Sequence, residues 1–415
     1  MKKYTSGNSF LILFTMSLFL IACQKNPDEI LPVDPVPLNL TSEQVLLIES
    51  ENSFAFDIFK KVIAKSGESE NIIISPLSVS CALSMALNGA NGATRDAMLE
   101  ALKVNGMSCD KINNSYKDLT KALLSVDKRV LITIANSVWT ENNFVVKKPF
   151  SETLTNYYNT ETNSFEISDP LAPARINSWI ESKTNGLIRN MIQELKSNTV
   201  MLLINAIYFK GKWKSEFKTE NTVQGTFYKQ GNVSAEVPVM IQSSDFGIYS
   251  GEGFDMAEFP YGQGNFVMDV ILPDDRNGTD AIVSLLSSGN FNGWLNKMRT
   301  ADANVLFPRF KYGFKKQLKD VLTDMGMGIA FTENADFTNI SDIDLLINEV
   351  IHQAFIETNE EGTEAAAATI VGIGTTSMPV APIVFKIDHP FIYIIRETTS
   401  NSILFIGKVA DPLAE

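Results

Sequence analysis

The chain has 415 residues, of which 45% are hydrophobic and 20% are charged, and its formal net charge is −13 at pH 7. This length and apolar content suffice for a large core and exclude a chain that is disordered over most of its length. The acidic balance disfavours nucleic-acid binding, which needs clustered Lys and Arg. With 3 Cys and 2 His, a disulfide scaffold, a Cys/His metal site and a His-based catalytic triad are also disfavoured. We therefore expect no metal and no cofactor.

The first residues resemble an export signal. Lys2 and Lys3 precede an apolar run from Phe10 to Ala22, which is short for a membrane-spanning helix and typical of a signal peptide over residues 1–22. The run ends at Leu20-Ile21-Ala22-Cys23, which is similar to the lipobox of bacterial lipoproteins, where the cysteine is acylated. This pattern predicts a lipid anchor on Cys23 and a place at the bacterial outer membrane, on the cell surface or facing the periplasm. A plain signal peptide with an incidental cysteine is the alternative.

Four prolines between residues 24 and 40 predict an extended tether, so that residues 23–40 link the acylated cysteine to the folded body. Residues 41–415 show no linker of Pro, Gly and Ser and no internal repeat. A length of about 370 residues usually suggests more than one domain. Because the predicted strands are dispersed and no boundary is visible, we expect a single α+β domain.

The first elements of this domain are predicted from periodicity and end signals. A helix is expected over 41–64, where Thr41 and Gln44 have capping-box spacing. A β-branched strand over 71–74 precedes a second helix, which begins at Ser75-Pro76 and ends near Leu87.

The remaining elements are mostly strands, and one polar residue, Asn205, interrupts an otherwise apolar strand. Residues 310–325 carry amphipathic helix signals. Cys81 is expected to be buried, and a disulfide between Cys81 and Cys109 is left open. Strands are predicted over residues 201–209, 266–272, 305–307, 351–358, 391–395 and 403–406.

Residues 360–384 are unusual because about twenty residues after Glu364 carry no charge, whereas long loops are normally polar or functional. An Ala-rich helix followed by a loop is one interpretation. β-Branched residues and two glycines in the second half oppose it. Read with the period of a strand, one face is entirely small or apolar, which suits insertion into a sheet. That face consists of Thr363, Ala365, Ala367, Thr369, Val371 and Ile373.

The segment from Glu360 to Thr369 resembles the hinge of inhibitory serpins, serine protease inhibitors that trap proteases by inserting a cleaved loop into a sheet. Four further blocks resemble the family in the order in which it has them. The resemblance implies a serpin fold with about three β-sheets, eight to nine helices and an exposed reactive-centre loop at about residues 360–382. The four blocks are 71–78, 205–213, 324–337 and 385–392.

Three sites are implied by this resemblance alone. The shutter, where the sheet parts, corresponds to Ser75, Ser78, Asn205 and His352. The breach, where the loop enters the sheet, corresponds to Trp213, Arg309 and Glu360. The hinge comprises Glu360, Glu361, Gly362, Thr363, Glu364, Ala365, Ala366, Ala367, Ala368 and Thr369.

The usual family spacing from the first hinge glutamate places the scissile bond between Thr376 and Ser377, with Thr375 and Met378 as alternatives. No Lys or Arg lies between Gly362 and Val384, which disfavours trypsin-like targets and favours elastase-like or subtilisin-like ones. The resemblance thus implies a monomeric inhibitor, not an enzyme, whose partner is a serine protease in covalent complex. A non-inhibitory binding protein and an inhibitor of papain-like cysteine proteases are the alternatives.

Overall fold

The computed structural model describes Met1 and residues 35–363 and 382–414. Cys23, the hinge from Glu364 onward and the predicted scissile bond lie outside these residues. The described residues from 35 onward belong to one compact unit. Its α-helices are α1 Ser42–Ala64, α2 Pro76–Leu87, α3 Gly92–Ala101, α4 Cys109–Ser125, α5 Lys148–Tyr158, α6 Ala172–Lys183, α7 Thr279–Leu285, α8 Ser288–Leu295 and α9 Lys319–Leu322.

The strands are β1 Ile72–Ile74, β2 Val130–Glu141, β3 Thr160–Phe165, β4 Met201–Lys212, β5 Val223–Tyr228, β6 Ser234–Ser250, β7 Phe254–Tyr261, β8 Phe266–Pro273, β9 Arg299–Pro308, β10 Phe310–Gln317, β11 Ile351–Thr358, β12 Gly362–Thr363, β13 Ile383–Lys386, β14 Phe391–Glu397 and β15 Ile403–Val409. They form three sheets. Nine strands are in the order β1-β15-β14-β8-β7-β6-β9-β13, with β5 paired to β6. The others form a four-stranded sheet, β12-β4-β2-β3, and a two-stranded sheet, β10-β11. The predicted α+β class is confirmed, with three sheets and nine α-helices among the described residues.

The first two helices begin and end as their sequences predict. The Thr41 side chain accepts from the Gln44 amide while the Gln44 side chain accepts from the Thr41 amide, which forms the expected capping box of α1. Ser75 caps α2, where Pro76 occupies the first turn, and the helix ends at Leu87. Cys81 is buried as expected, and Cys81 and Cys109 are both free thiols.

The helix signals over residues 310–325 were misleading, because Phe310–Gln317 is the strand β10. Phe310, Tyr312 and Phe314 are buried while the residues between them are exposed, so the period is two. Buried strands β8, β14 and β15 form the middle of the core, with every residue of each strand buried. No helix within the described residues is both long and apolar enough to cross a membrane.

Candidate functional site between two strand edges

The strands β4 and β11 present two edges with few partners among the described residues. One edge of β4 pairs with β2 from Met201 to Gly211. Among the described residues, the strand that pairs with its other edge is β12, at Gly211 and Lys212. β11 pairs with β10 on one side, and no ladder between described residues joins β11 to β4. A strand edge with few backbone partners is a template for a further strand.

A tight turn leads from β11 into β12. The Asn359 amide donates to the Gly362 carbonyl at 3.0 Å, and the Gly362 amide donates back to the Asn359 carbonyl at 3.2 Å. Gly362 has φ +136°, and a Cβ there would lie 2.2 Å from the Gly211 carbonyl oxygen. Only glycine fits this position, so the hinge residue Gly362 allows the chain to reverse against the end of β4.

The breach residues meet at this turn. The Arg309 Nε donates to Glu360 Oε1 at 2.8 Å, and Arg309 Nη2 and the Thr222 hydroxyl also donate to that oxygen. Glu360 is only 5% exposed. Burial alone would raise the pKa of its carboxyl, but the hydrogen bonds from Arg309 and Thr222 outweigh burial and leave the pKa below its usual value. The carboxylate therefore stays charged and fixes the start of the hinge.

Trp213 supports the other side of the turn. Its backbone amide donates to the Glu361 carbonyl at 2.8 Å, and its indole N–H donates to the Asn359 carbonyl at 2.9 Å. The indole stacks on Tyr261, with ring centroids 4.4 Å apart. The Tyr261 hydroxyl lies 2.9 Å from the hydroxyl of Thr363, which is buried. Trp213 and Tyr261 thus form a platform that directs Thr363 into the core, on the face that the sequence predicts.

The four shutter residues lie together, beside Asn205 of β4 and His352 at the start of β11. The Ser75 amide donates to His352 Nε2 at 3.2 Å, and the Ser75 hydroxyl accepts from the Ser78 amide at 3.2 Å. The Ser78 hydroxyl donates to Asn205 Oδ1. All four residues are buried, so α2 holds one side chain from each strand edge.

His352 is neutral in this arrangement. Burial lowers the pKa of its ring to about 4, although a backbone hydrogen bond with Ile73 acts in the opposite direction. Nε2 accepts the Ser75 N–H, which requires that nitrogen to be unprotonated.

Asn136 on β2 extends the shutter and was missed from the sequence. Its Oδ1 accepts from Asn205 Nδ2 at 2.6 Å, and its Nδ2 donates to the Tyr158 carbonyl at 2.7 Å. The signal was available, since Asn136 interrupts an apolar strand in the same way as Asn205. Tyr261 and Thr222 were also missed, and no local pattern marks them.

Among the described residues, no group of three or more His, Cys, Asp and Glu side chains is arranged to hold a metal ion. Of the predicted site residues, the structure brings together the shutter, the breach and the hinge as far as Thr363. The hinge from Glu364 to Thr369 and residues 375–378 are outside the described part of the chain.

Comparison with known proteins agrees with this geometry. The profile of the family Serpin (serine protease inhibitor) matches residues 49–412. A serine protease inhibitor of Cyanea capillata is 34% identical over 372 residues, which cover 88% of this chain and 98% of that protein.

Two solved structures are similar to the whole body of the chain. Tengpin, a thermophilic serpin solved in its native state, has a TM-score of 0.82 at 29% identity and is covered to 97%, with 91% of this chain aligned. Human thyroxine-binding globulin also has a TM-score of 0.82, at 26% identity, with 90% of this chain and all of that one covered. The chain belongs to the serpin family, and the proteins similar to it include a serine protease inhibitor and a thyroxine-binding globulin.

Proposed function

We propose that this serpin is a suicide inhibitor of serine proteases that inserts its cleaved loop between β4 and β11. The observation that carries this proposal is β12, where two hinge residues already pair antiparallel with β4, Gly362 with Lys212 and Thr363 with Gly211. Small and β-branched residues follow in the sequence. An antiparallel strand that continues from β12 would lie between β4 and β11 and pair with both.

The register of β12 predicts which loop residue would reach the shutter after insertion. Each further residue of the loop advances one step along β4 in the opposite direction, so Thr369 would reach Asn205. The Asn359–Gly362 bridge sets the register on the other side and brings the same Thr369 to His352. Thr369 would therefore lie between the two side chains that α2 holds, with Ala365 and Ala367 facing inward above it.

The covalent step precedes this insertion. The serine oxygen of the protease adds to the carbonyl carbon of the scissile bond, the peptide C–N bond breaks, and the serine proton leaves with the new amino terminus. An acyl ester then joins the two proteins. Insertion moves the ester-linked protease together with the inserting end of the loop, away from the place where it first bound, before water hydrolyses the ester. The inhibitor supplies no catalytic group and is not an enzyme in this mechanism.

The inserted form is the more stable one in this proposal. About ten new residues, each paired on one or both sides, add up to roughly 20 kcal/mol of ladder hydrogen bonds before the entropy cost of ordering them. The uncleaved protein is then held by a kinetic barrier. The shutter hydrogen bonds of Ser78 and His352 contribute to this barrier, because they tie β4 and β11 to α2.

The proposed scissile bond lies between Thr376 and Ser377, with Thr375 and Met378 as alternatives, and the targets are elastase-like or subtilisin-like. This rests on the absence of Lys and Arg between Gly362 and Val384. We further propose that Cys23 anchors the monomer to the outer membrane by a lipid.

A non-inhibitory binding protein is the second candidate, favoured by the similarity to thyroxine-binding globulin. Incubation with an elastase, a subtilisin and trypsin separates the two. The proposal expects a complex with elastase or subtilisin that survives denaturing electrophoresis, and the mass of the released C-terminal peptide identifies the bond. Cleavage without such a complex would favour the binding protein.

A further inference from the structure

The segment before α1 is bound to the loop that joins β7 to β8, near the place where the hinge meets β4. Residues 35–38 form no helix or strand. The Val36 amide donates to Asn265 Oδ1 at 3.0 Å, and Asn265 Nδ2 donates to the Val36 carbonyl at 2.7 Å. The Asn265 side chain thus satisfies both backbone groups of Val36.

A second contact fixes the next available amide. The Leu38 N–H donates to Thr399 Oγ1 at 3.1 Å, and the Thr399 hydroxyl donates to the buried carboxylate of Glu397 at 2.9 Å. That carboxylate orients the hydroxyl so that a lone pair faces Leu38. Leu38 and Leu40 also pack against the core.

The prolines explain why these two amides are used. Residues 35 and 37 have no N–H, so Val36 and Leu38 carry the only donors of the four residues, and both donors meet the body. Proline also restricts the free segment to extended conformations, which lowers the entropy lost on binding. The prolines at positions 35 and 37 therefore favour binding of this segment.

The loop that receives the segment also supports the hinge. Asn265 is completely buried, and its loop begins at Tyr261, which stacks on Trp213 and contacts Thr363. The Gly262 amide in the same loop donates to the carbonyl of Lys212 at 2.8 Å, and Lys212 is the pairing partner of Gly362. Three residues thus separate Asn265, which binds the segment, from Tyr261 in the platform beside the hinge.

We propose that residues 35–38 are a strap that holds the loop over residues 261–265 in place and thereby slows entry of the uncleaved loop past Thr363. When the strap leaves, both polar atoms of the Asn265 amide lose their partners and the loop loosens. The platform of Trp213 and Tyr261 then moves more freely. The effect on loop entry rests on the proposed function, whereas the strap itself does not.

The test uses the full chain with proline substitutions that remove one N–H each. Val36→Pro deletes a strap donor, and Asn39→Pro is the matched control, because no hydrogen bond of the Asn39 amide is present among the described residues. Hydrogen exchange over residues 261–266 is expected to be about fivefold faster in Val36→Pro, as for one lost hydrogen bond, and unchanged in Asn39→Pro. Equal exchange in the two variants would overturn the strap.

A second measurement tests the coupling to the hinge. The half-life over which intact protein retains its ability to trap elastase at 37 °C is expected to be shorter in Val36→Pro than in Asn39→Pro. Faster exchange with an unchanged half-life would overturn the coupling and leave the strap. If the unmodified protein never traps a protease, the proposed function fails, while the exchange result still decides whether the strap exists.

Discussion

The two edges of β4 have opposite roles in the fold. The edge toward β2 is paired from Met201 to Gly211, and the described partners of the other edge are limited to Gly362 and Thr363. The first edge makes β4 part of a permanent sheet. The second edge pairs at one end with the turn that the Arg309–Glu360 contact holds, and nearer its middle the Asn205 side chain bonds to Ser78. The proposed insertion would add a strand along this edge, past both points.

Cleavage of the loop is expected to give the largest effect, because it would fill the second edge of β4 and raise the melting temperature. If a new strand saturates the second edge of β4, a sample nicked near Thr376 will melt about 10 °C or more above the intact protein. Differential scanning calorimetry measures the change. A nicked Ala367→Pro variant is the control, since proline removes an inner ladder amide and will reduce the gain. An identical melting temperature for nicked and intact protein would contradict insertion.

The two faces of the inserted strand allow a sharper test with one residue type. Ala367→Glu places a charge on the face that would lie against the core, whereas Ala366→Glu places it on the outer face, where Glu364 already lies in the sequence. We expect the first variant to trap at least about tenfold less elastase per cleavage event, because an unpaired buried charge opposes insertion. The second should remain an inhibitor. Quantified gels of complex and cleaved product give both ratios, and equal losses would show that the register is wrong.

Specificity is expected to depend on one side chain of the loop. Thr376→Arg should increase the rate of trypsin inhibition by at least about 100-fold, because an arginine then enters a pocket that is built to pair with it. Thr375→Arg is the control for the position. If only the control variant inhibits trypsin, the scissile bond follows residue 375.

The smallest expected effect is the pH dependence of the shutter. The pKa of His352 is about 4 in the fold and about 6.5 when unfolded, so the unfolded chain binds more protons between these values and stability falls as the pH falls through them. From pH 7 to pH 5 the loss is about 2 kcal/mol. The His352→Asn variant should lack this pH-dependent loss of stability. Denaturant midpoints of both proteins at the two pH values measure it, and buried groups common to both, such as Glu51, cancel in the difference.

If the stability of the two proteins changes equally with pH, then His352 does not cause this part of the pH dependence. Burial raises the pKa of the Glu51 carboxyl to about 7, so this group makes stability rise as the pH falls. Its contribution is the same in both proteins and cancels in the comparison. The reading requires that both proteins unfold in one cooperative step, which coincident fluorescence and circular dichroism transitions establish.

Local patterns predicted several elements well. The capping box at Thr41 and the Ser75-Pro76 start of α2 are local signals, and both helices begin where those signals lie. The polar interruption at Asn205 is also a local signal, because a buried amide in an apolar strand needs partners, and the Asn205 amide bonds to Ser78 and Asn136. Residues 310–317 show the limit of such patterns, since mixed helix signals concealed a strand of period two.

Other parts of the site had no local signature. Tyr261 supports the hinge only because β7 ends beside Trp213, and Thr222 reaches Glu360 from a segment far away in sequence. The prolines at 35 and 37 predicted an extended tether, but not that the alternate amides would bind Asn265 and Thr399.

The sequence by itself determined where α1 and α2 begin, that several apolar segments form buried strands, and that one face after Thr363 is small enough to enter a sheet. These properties depend on neighbours along the chain, which a single sequence contains. The tertiary structure decided which edges of β4 and β11 have partners and which side chains hold these strands. It also decided that the segment before α1 lies against the loop that joins β7 to β8. Such contacts join residues that are distant in sequence, and their geometry is set only when the sheets pack.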